Sequence, residues 1–258
     1  PATLTIIPHL EFNLGAYFPK QGMHDISMSL YKLALSLGVR YHFNAPVEEI
    51  LVENQRACGL RVQGQVVSGD LVVNNMDMVN AYKTILKKQV QPKKLLEQPK
   101  SSSALIFYWG ITQVFEEIDM HNIFFSEDYK KEFECIFKKG TIYKDPTVYI
   151  NCTAVSKPDD SPSGCMNWFT MINVPNNQGQ DWDQLIAQAR KDILSKLSRL
   201  LHADIEKLIE FEEVLDPRSI EFKTSSAQGA LYGNSSNTRF AAFLRHPNVS
   251  SQLQNLYF

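Results

Sequence analysis

Gly15-Ala16-Tyr17-Phe18-Pro19-Lys20-Gln21-Gly22-Met23 opens the stretch that decides the fold. It continues through an amphipathic segment to Leu37, then Gly38-Val39-Arg40-Tyr41-His42-Phe43, Val47-Glu48-Glu49-Ile50 and Gly69-Asp70-Leu71-Val72-Val73-Asn74-Asn75-Met76-Asp77. Met23, Ile26, Leu30, Leu33, Ala34 and Leu37 recur at helical spacing, and Gly38 follows where a left-handed cap would stand. Val47 to Val52, Ala57 to Val62 and Gln65 to Val67 read as a β-meander with turns at Glu53-Asn54-Gln55 and Gln63-Gly64. The predicted order is helix, short strand at 38–43, meander, strand. It suits a dinucleotide domain, where ligands sit beyond the carboxyl ends of parallel strands, and it suits any α/β crossover equally.

Further along, Asp77 is placed to cap a helix running to Leu86. Six lysines (83, 87, 88, 93, 94 and 100) then fall among apolar residues, with Pro92 and Pro99 as breaks, and mark a boundary. Beyond it, 104–111, 148–153, 166–174 and 211–215 read as strands, and 127–137 and 182–201 as helices. Asp216-Pro217 reads as a helix start or a turn, and Tyr232 to Arg245 as an irregular return toward the first part of the chain.

The 258 residues are 44% hydrophobic and 21% charged, enough to bury one large core or two smaller ones. A net charge of −2 and the absence of a basic stripe interleaved with aromatics argue against nucleic-acid binding. Cys58, Cys135, Cys152 and Cys165 form no Cys-x-x-Cys pair, so free thiols in a reducing cytoplasm are expected, with no metal site. No run of 18 apolar residues and no signal-peptide pattern occurs.

The stretch from Gly15 to Asp77 resembles the bacterial-type family of FAD-dependent carotenoid (phytoene) desaturases. Members of that family show Gly-x-Trp/Tyr-x-Pro-x-Gly-Gly-Met, a Gly-Val helix-to-strand junction and Ala-Asp-x-Val-Val-x-Asn-x-Asp. A second block, Asp145-Pro146-Thr147-Val148-Tyr149 to Gly164-Cys165, is similar to the family's Asp-Pro-Ser-x-Tyr-Val stretch with its following Gly turn. Gln228 to Gly233 and Arg245-His246-Pro247-Asn248 match the approach to its last flavin-binding motif. His121 falls where the family often carries histidine. Gln21 replaces the first glycine of the pair, and two larger departures stand out: the chain has no Gly-x-Gly-x-x-Gly turn, and it stops at Phe258 where the family continues into a Val-Gly-x-x-x-x-Pro-Gly segment. The chain is therefore expected to be an internal plus C-terminal fragment, without FAD and inactive alone.

The resemblance implies an α+β fold: a truncated FAD-binding, Rossmann-like portion plus a substrate domain with a mainly antiparallel sheet and helices. The expected division is 1–90, a partial FAD-binding portion with the meander; 91–215, the substrate domain; and 216–258, the return segment. It implies FAD-dependent desaturation of a carotenoid precursor such as phytoene. A flavin-dependent saturase or isomerase and a non-catalytic apolar-ligand module are the alternatives. Gly22, Met23, Val47, Asn75 and Met76 are the expected cofactor contacts. Tyr17, Phe18, Phe107, Tyr108, Trp109, Trp168 and Phe169 are the expected walls of a slot for a long polyene, with core packing as the competing reading of the aromatic strands. No acid/base pair is legible. Because a polyene must be drawn from a bilayer, the lysine-rich segment is read as peripheral attachment at the cytoplasmic face of the membrane, against a simple solvated helix.

Overall fold

A continuous apolar run on 103–111 and alternation of apolar residues on 166–174 produce the central pair of a five-stranded antiparallel sheet. The computed structural model describes residues 2–235 and 247–258. In chain order the elements are α1 (Ala2–Leu14), α2 (His24–Ser36), β1 (Val47–Glu53), β2 (Arg56–Val62), β3 (Gln65–Ser68), β4 (Val72–Val73), α3 (Met78–Lys83), α4 (Lys93–Leu96) and β5 (Ser103–Ile111). They continue with β6 (His121–Phe124), α5 (Tyr129–Glu134), β7 (Val148–Asn151), β8 (Met166–Val174), α6 (Trp182–Leu200), α7 (Ile205–Leu208), β9 (Ile209–Leu215), α8 (Pro217–Thr224) and β10 (Leu256–Tyr257). The large sheet runs β6-β7-β8-β5-β9, the meander is β1-β2-β3, and β4 pairs in parallel with β10.

That parallel pair joins the two ends of the chain. Ile50, Ala57, Val72, Tyr82 and Leu86 form one core with Leu253 and Leu256. A second, larger core fills the space between the five-stranded sheet and α6: Leu105, Phe107, Trp109 and Ile111 from β5, and Met166, Trp168, Ile172 and Val174 from β8, meet Ala189, Ile193, Leu194 and Leu197. Each such fully buried aliphatic side chain contributes roughly 1.5–3 kcal/mol relative to exposure. Asp181 caps α6 through the Gln184 N–H, and Asp216 caps α8 through the Ser219 N–H, with Pro217 in the first turn. Asp77 caps α3 through Val79 and Asn80.

The mixed α+β architecture with antiparallel sheets agrees with expectation, but several elements differ. Residues 38–43 form no strand; Tyr31, Tyr41 and Phe43 instead cluster as rings, with centroids 4.6 to 6.0 Å apart. The segment has no strand partner among the described residues, so its backbone gains no ladder. The helix after Glu127 starts at Tyr129 and passes into a π-turn at Cys135–Lys139, ended by Gly140 at φ +63°. Strand β6 went unread because a four-residue edge strand offers too little alternation to register. Most of the return through Arg245 lies outside the described residues, as do Arg245 and His246 themselves. The four cysteines are free, and no helix is long and apolar enough to cross a membrane among the described residues.

Candidate functional site

Two faces of the structure bear on the expected site residues. The first is a cleft of about 440 Å³ over the smaller core, lined by Pro46, Val47 and Ile50 from the start of β1, Leu60, Val72, the turn Asn74-Asn75-Met76 after β4, and Thr224-Ser225 at the end of α8. Asn74 holds that turn closed: its side-chain oxygen accepts from the Met76 N–H and its amide donates to the Met76 carbonyl, both at 3.3 Å. Val47, Asn75 and Met76, far apart in sequence, thus line one cleft. Its walls are mainly apolar with amide groups from Asn74 and Asn75 and hydroxyl groups from Thr224 and Ser225 among them, and no Lys or Arg is among the lining residues. This donor set fits the base and sugar of a nucleotide and does not fit a phosphate, which needs a nest of N–H groups or cations.

Tyr17, Phe18, Gly22 and Met23 do not line that cleft. Tyr17 and Met23 are exposed, and a Cβ on Gly22 would meet nothing within 4 Å. Gly22 sits at φ +86°, so its own backbone conformation accounts for glycine there without a ligand. The apolar stripe of α2 (Ile26, Leu30 and Leu33) is likewise open.

The second face belongs to the five-stranded sheet. Successive side chains on a strand point to opposite sides, and cross-strand pairing fixes which residues share one. Trp109 opposes Trp168 and Phe107 opposes Thr170. All four face α6 and are at most 1% exposed. Tyr108 opposes Phe169, Ile106 opposes Met171, Asn151 opposes Phe169 and His121 opposes Asn151 on the other side. The expectation that Phe107, Tyr108, Trp109, Trp168 and Phe169 line one slot is therefore corrected. Phe107, Trp109 and Trp168 are core residues, and Tyr108 and Phe169 alone of the five lie on the outer face.

That outer face carries a row of edge-to-face rings crossing three strands: Tyr149 to Phe169 at 6.3 Å and Phe169 to Tyr108 at 5.5 Å. Ile123 and Phe211 extend it outward as exposed apolar residues. Near one end, α8 covers it with Ile220 over Ala104 and Ile106. Burial pushes the Tyr149 phenol up, Asn151 partly offsetting this; burial and then Glu213 push Tyr108 up. Both phenols are therefore neutral hydrogen-bonding groups near neutral pH. At the β6 edge, His121 Nδ1 lies 2.8 Å from the Tyr149 hydroxyl and 3.3 Å from Asn151 Nδ2. Sequence spacing could not show this cluster, because its members meet only through the β6–β7 ladder. No cluster of three metal-ligating side chains occurs among the described residues.

Comparison with known proteins adds to this geometry. The chain is 49% identical over 257 residues to a 1-hydroxycarotenoid 3,4-desaturase of Flavobacterium sp. (strain P99-3), covering all of this chain and 53% of that protein. It is 30% identical to a 4,4'-diapolycopene oxygenase of Methylomonas sp. and 29% identical to a phytoene desaturase of Neurospora crassa, covering all of this chain and 53% and 46% of those proteins. The chain thus spans about half the length of the curated relatives it matches. No protein-family model matches it. An oxidoreductase from Methanosarcina mazei superposes with TM-score 0.63 at 14% identity, over 97% of this chain and 52% of that one. A putrescine oxidase variant superposes at 0.55, also at 14% identity, over 93% and 47%. These two likenesses establish the fold.

Proposed function

We propose that this chain, a homologue along its whole length of bacterial-type carotenoid desaturases and related oxygenases, is part of an FAD-dependent enzyme that desaturates a carotenoid. The aromatic outer face of the five-stranded sheet would hold the polyene. Removing two hydrogens from adjacent carbons requires a hydride acceptor, which no ordinary side chain provides and which a bound flavin supplies. The chain's own part is positional. Five strands at ~4.8 Å spacing offer a track of about 19 Å, on which Tyr149, Phe169 and Tyr108 present ring edges and faces to a flat conjugated chain. The observation that carries the reading is this open aromatic row in a chain 49% identical to a relative named for a hydroxylated carotenoid. Anaerobic addition of a polyene to the full-length, FAD-loaded protein should bleach the flavin band; a band that stays oxidised with every polyene tried would sink the proposal. Terminal oxygenation is a second reading, favoured by the 30% identical relative named as an oxygenase. Incorporation of labelled oxygen into product separates the two.

For the cofactor, the cleft of Val47, Asn75 and Met76 is proposed to receive the adenosine half of FAD, with Gly22, Met23, Tyr17 and Phe18 toward the flavin end. The division at 1–90, 91–215 and 216–258 is proposed on the same basis, and the two separate cores support it. In the full-length protein, Val47→Asp should weaken FAD binding by on the order of hundredfold, because a carboxylate would be desolvated against an apolar wall. The isolated 258-residue chain, lacking the glycine-rich pyrophosphate turn, is expected to purify colourless. Flavin absorbance and titration check both; full occupancy in the variant would remove the cleft from the cofactor site.

Membrane contact is proposed through the lysine-rich segment, facing the cytoplasm. Lys83, Lys87, Lys88, Lys93 and Lys94 are exposed around Val90, itself 75% exposed, whereas Lys100 turns inward to the Leu96 carbonyl and Asn234. Lys88 also pairs with Glu49 at 2.6 Å. Replacing Lys87, Lys88, Lys93 and Lys94 by Gln should weaken binding of the full-length protein to anionic vesicles by roughly hundredfold. High salt should do the same to the parent, since screening acts over about 8 Å at physiological ionic strength. Equal sedimentation with vesicles before and after substitution would leave these lysines a solvated face.

A further inference from the structure

We propose that His121, Tyr149 and Asn151 form a recognition subsite for a terminal hydroxyl group on the polyene. The proposal rests on assigning the outer sheet face to the substrate. The three side chains come from the edge strand β6 and its neighbour β7, where His121 and Asn151 oppose each other across the ladder. Tyr149 belongs to both parts of the face: its ring begins the aromatic row 6.3 Å from Phe169, and its hydroxyl meets His121 Nδ1 at 2.8 Å. A polyene lying on the row would therefore end against this polar group.

The hydrogen bonds fix what the group offers. Asn151 Nδ2 donates to the Met120 carbonyl at 2.9 Å, which orients the amide, and it also points at His121 Nδ1 from 3.3 Å. An amide nitrogen has no lone pair to give, so Nδ1 accepts, and in the neutral ring the proton sits on Nε2. The single lone pair of Nδ1 is shared between the Tyr149 O–H at 2.8 Å, the stronger donor, and the longer Asn151 contact, and this leaves lone pairs of the Tyr149 oxygen as acceptors. No partner for Nε2 occurs among the described residues. The edge of the face thus presents an N–H donor beside a phenolic acceptor. A hydroxyl group donates one hydrogen bond and accepts another, so it satisfies both. A hydrocarbon terminus would strip water from the pair without replacing it, and sites built around such groups discriminate strongly against ligands lacking the matching polar atom.

The test uses full-length, FAD-loaded protein and two polyenes of equal length and conjugation, one ending in a hydroxyl and one in hydrocarbon. Affinities come from the shift of polyene absorption on binding, and the rate constant of the reductive half-reaction from anaerobic flavin reduction. The parent should favour the hydroxylated polyene by about tenfold or more. Tyr149→Phe, which keeps the ring in the row, and His121→Phe should each bring the ratio of the two polyenes close to one in both measurements. His121→Gln, which retains an N–H donor, should keep part of the preference. A preference that survives unchanged in Tyr149→Phe and His121→Phe, with both polyenes still bound, overturns the subsite. If neither polyene binds the parent or reduces its flavin, the assignment of the face fails and the subsite with it.

Discussion

Trp168→Ala should destabilise the fold by about 3–5 kcal/mol, whereas Phe169→Ala, one residue on, should cost ~1–2 kcal/mol and abolish most polyene-driven flavin reduction in the full-length protein. Trp168 is 1% exposed and packs 5.5 Å from Phe115 in the core under α6, so its removal leaves a cavity that rigid neighbours cannot fill. For a chain of this size that loss lowers Tm by on the order of 10 °C. Phe169 is half-buried on the opposite face and is the middle ring of the row between Tyr149 and Tyr108. Removing it breaks the track where a conjugated chain would lie and loosens only the small cluster of Ala104, Ile106 and Ile220, leaving the core under α6 untouched. A finer contrast exists between the two core tryptophans. Trp109 donates its indole N–H to Glu212 at 2.6 Å, but the Trp168 indole N–H is buried without a partner among the described residues. Trp168→Phe should therefore be tolerated better than Trp109→Phe, since it removes an unpaired donor along with the ring atoms. Thermal melts of the four variants and flavin bleaching in the full-length protein decide. A Phe169→Ala protein that reduces flavin at the parent rate would show that the outer face is not the substrate surface.

The same two residues show where the sequence was legible and where it was not. Period-2 alternation over Met166 to Val174 identified the strand, and helical spacing from Trp182 identified α6, because both patterns are dictated by burial on one side. What an aromatic cluster does depends on which side it faces, and alternation alone does not say which side receives the covering helix. Phe107, Trp109 and Trp168 therefore read as slot residues until the register placed them under α6. The cleft was more accessible. Val47, Asn75 and Met76 came from a resemblance, and the β4–β10 pair with the closed Asn74 turn brings them to one wall. Gly22 was legible as a glycine but not as a contact, since positive φ explains it whether or not a ligand lies near. The His121–Tyr149–Asn151 group was hidden for a different reason: 28 residues separate His121 from Tyr149, and the edge strand that joins them is too short to announce itself.

Lys196→Met should destabilise the protein by about 3–5 kcal/mol despite replacing a buried charge with an apolar side chain of similar length. Lys196 lies on the core side of α6 and is 6% exposed. Its three ammonium hydrogens are all committed: to Asp145 at 2.9 Å, to the Phe125 carbonyl at 2.7 Å and to the Pro146 carbonyl at 2.8 Å. Methionine would leave a partly buried carboxylate and two carbonyls together with one partner fewer each, the carboxylate keeping only the Glu127 N–H and its 22% exposure to water, and that cost outweighs the gain from removing the ammonium. The pair also predicts a pH response. Burial alone would push the Asp145 carboxyl up, but the Glu127 N–H at 2.7 Å and Lys196 together hold it below the usual carboxylate range. A group whose native value is depressed stabilises the fold fully above its unfolded value of about 3.9, and that contribution is lost as pH falls through the lower native value. Between pH 5 and 8 the Asp145 contribution should therefore be constant, and it should disappear on acidification. Asp145→Asn should flatten this acid limb while lowering stability near neutrality, because the amide restores shape without the negative charge opposite Lys196. Chemical denaturation of the parent and Asp145→Asn across pH 2 to 7 checks the sign: an acid limb of equal slope in both would assign that loss of stability to other carboxylates.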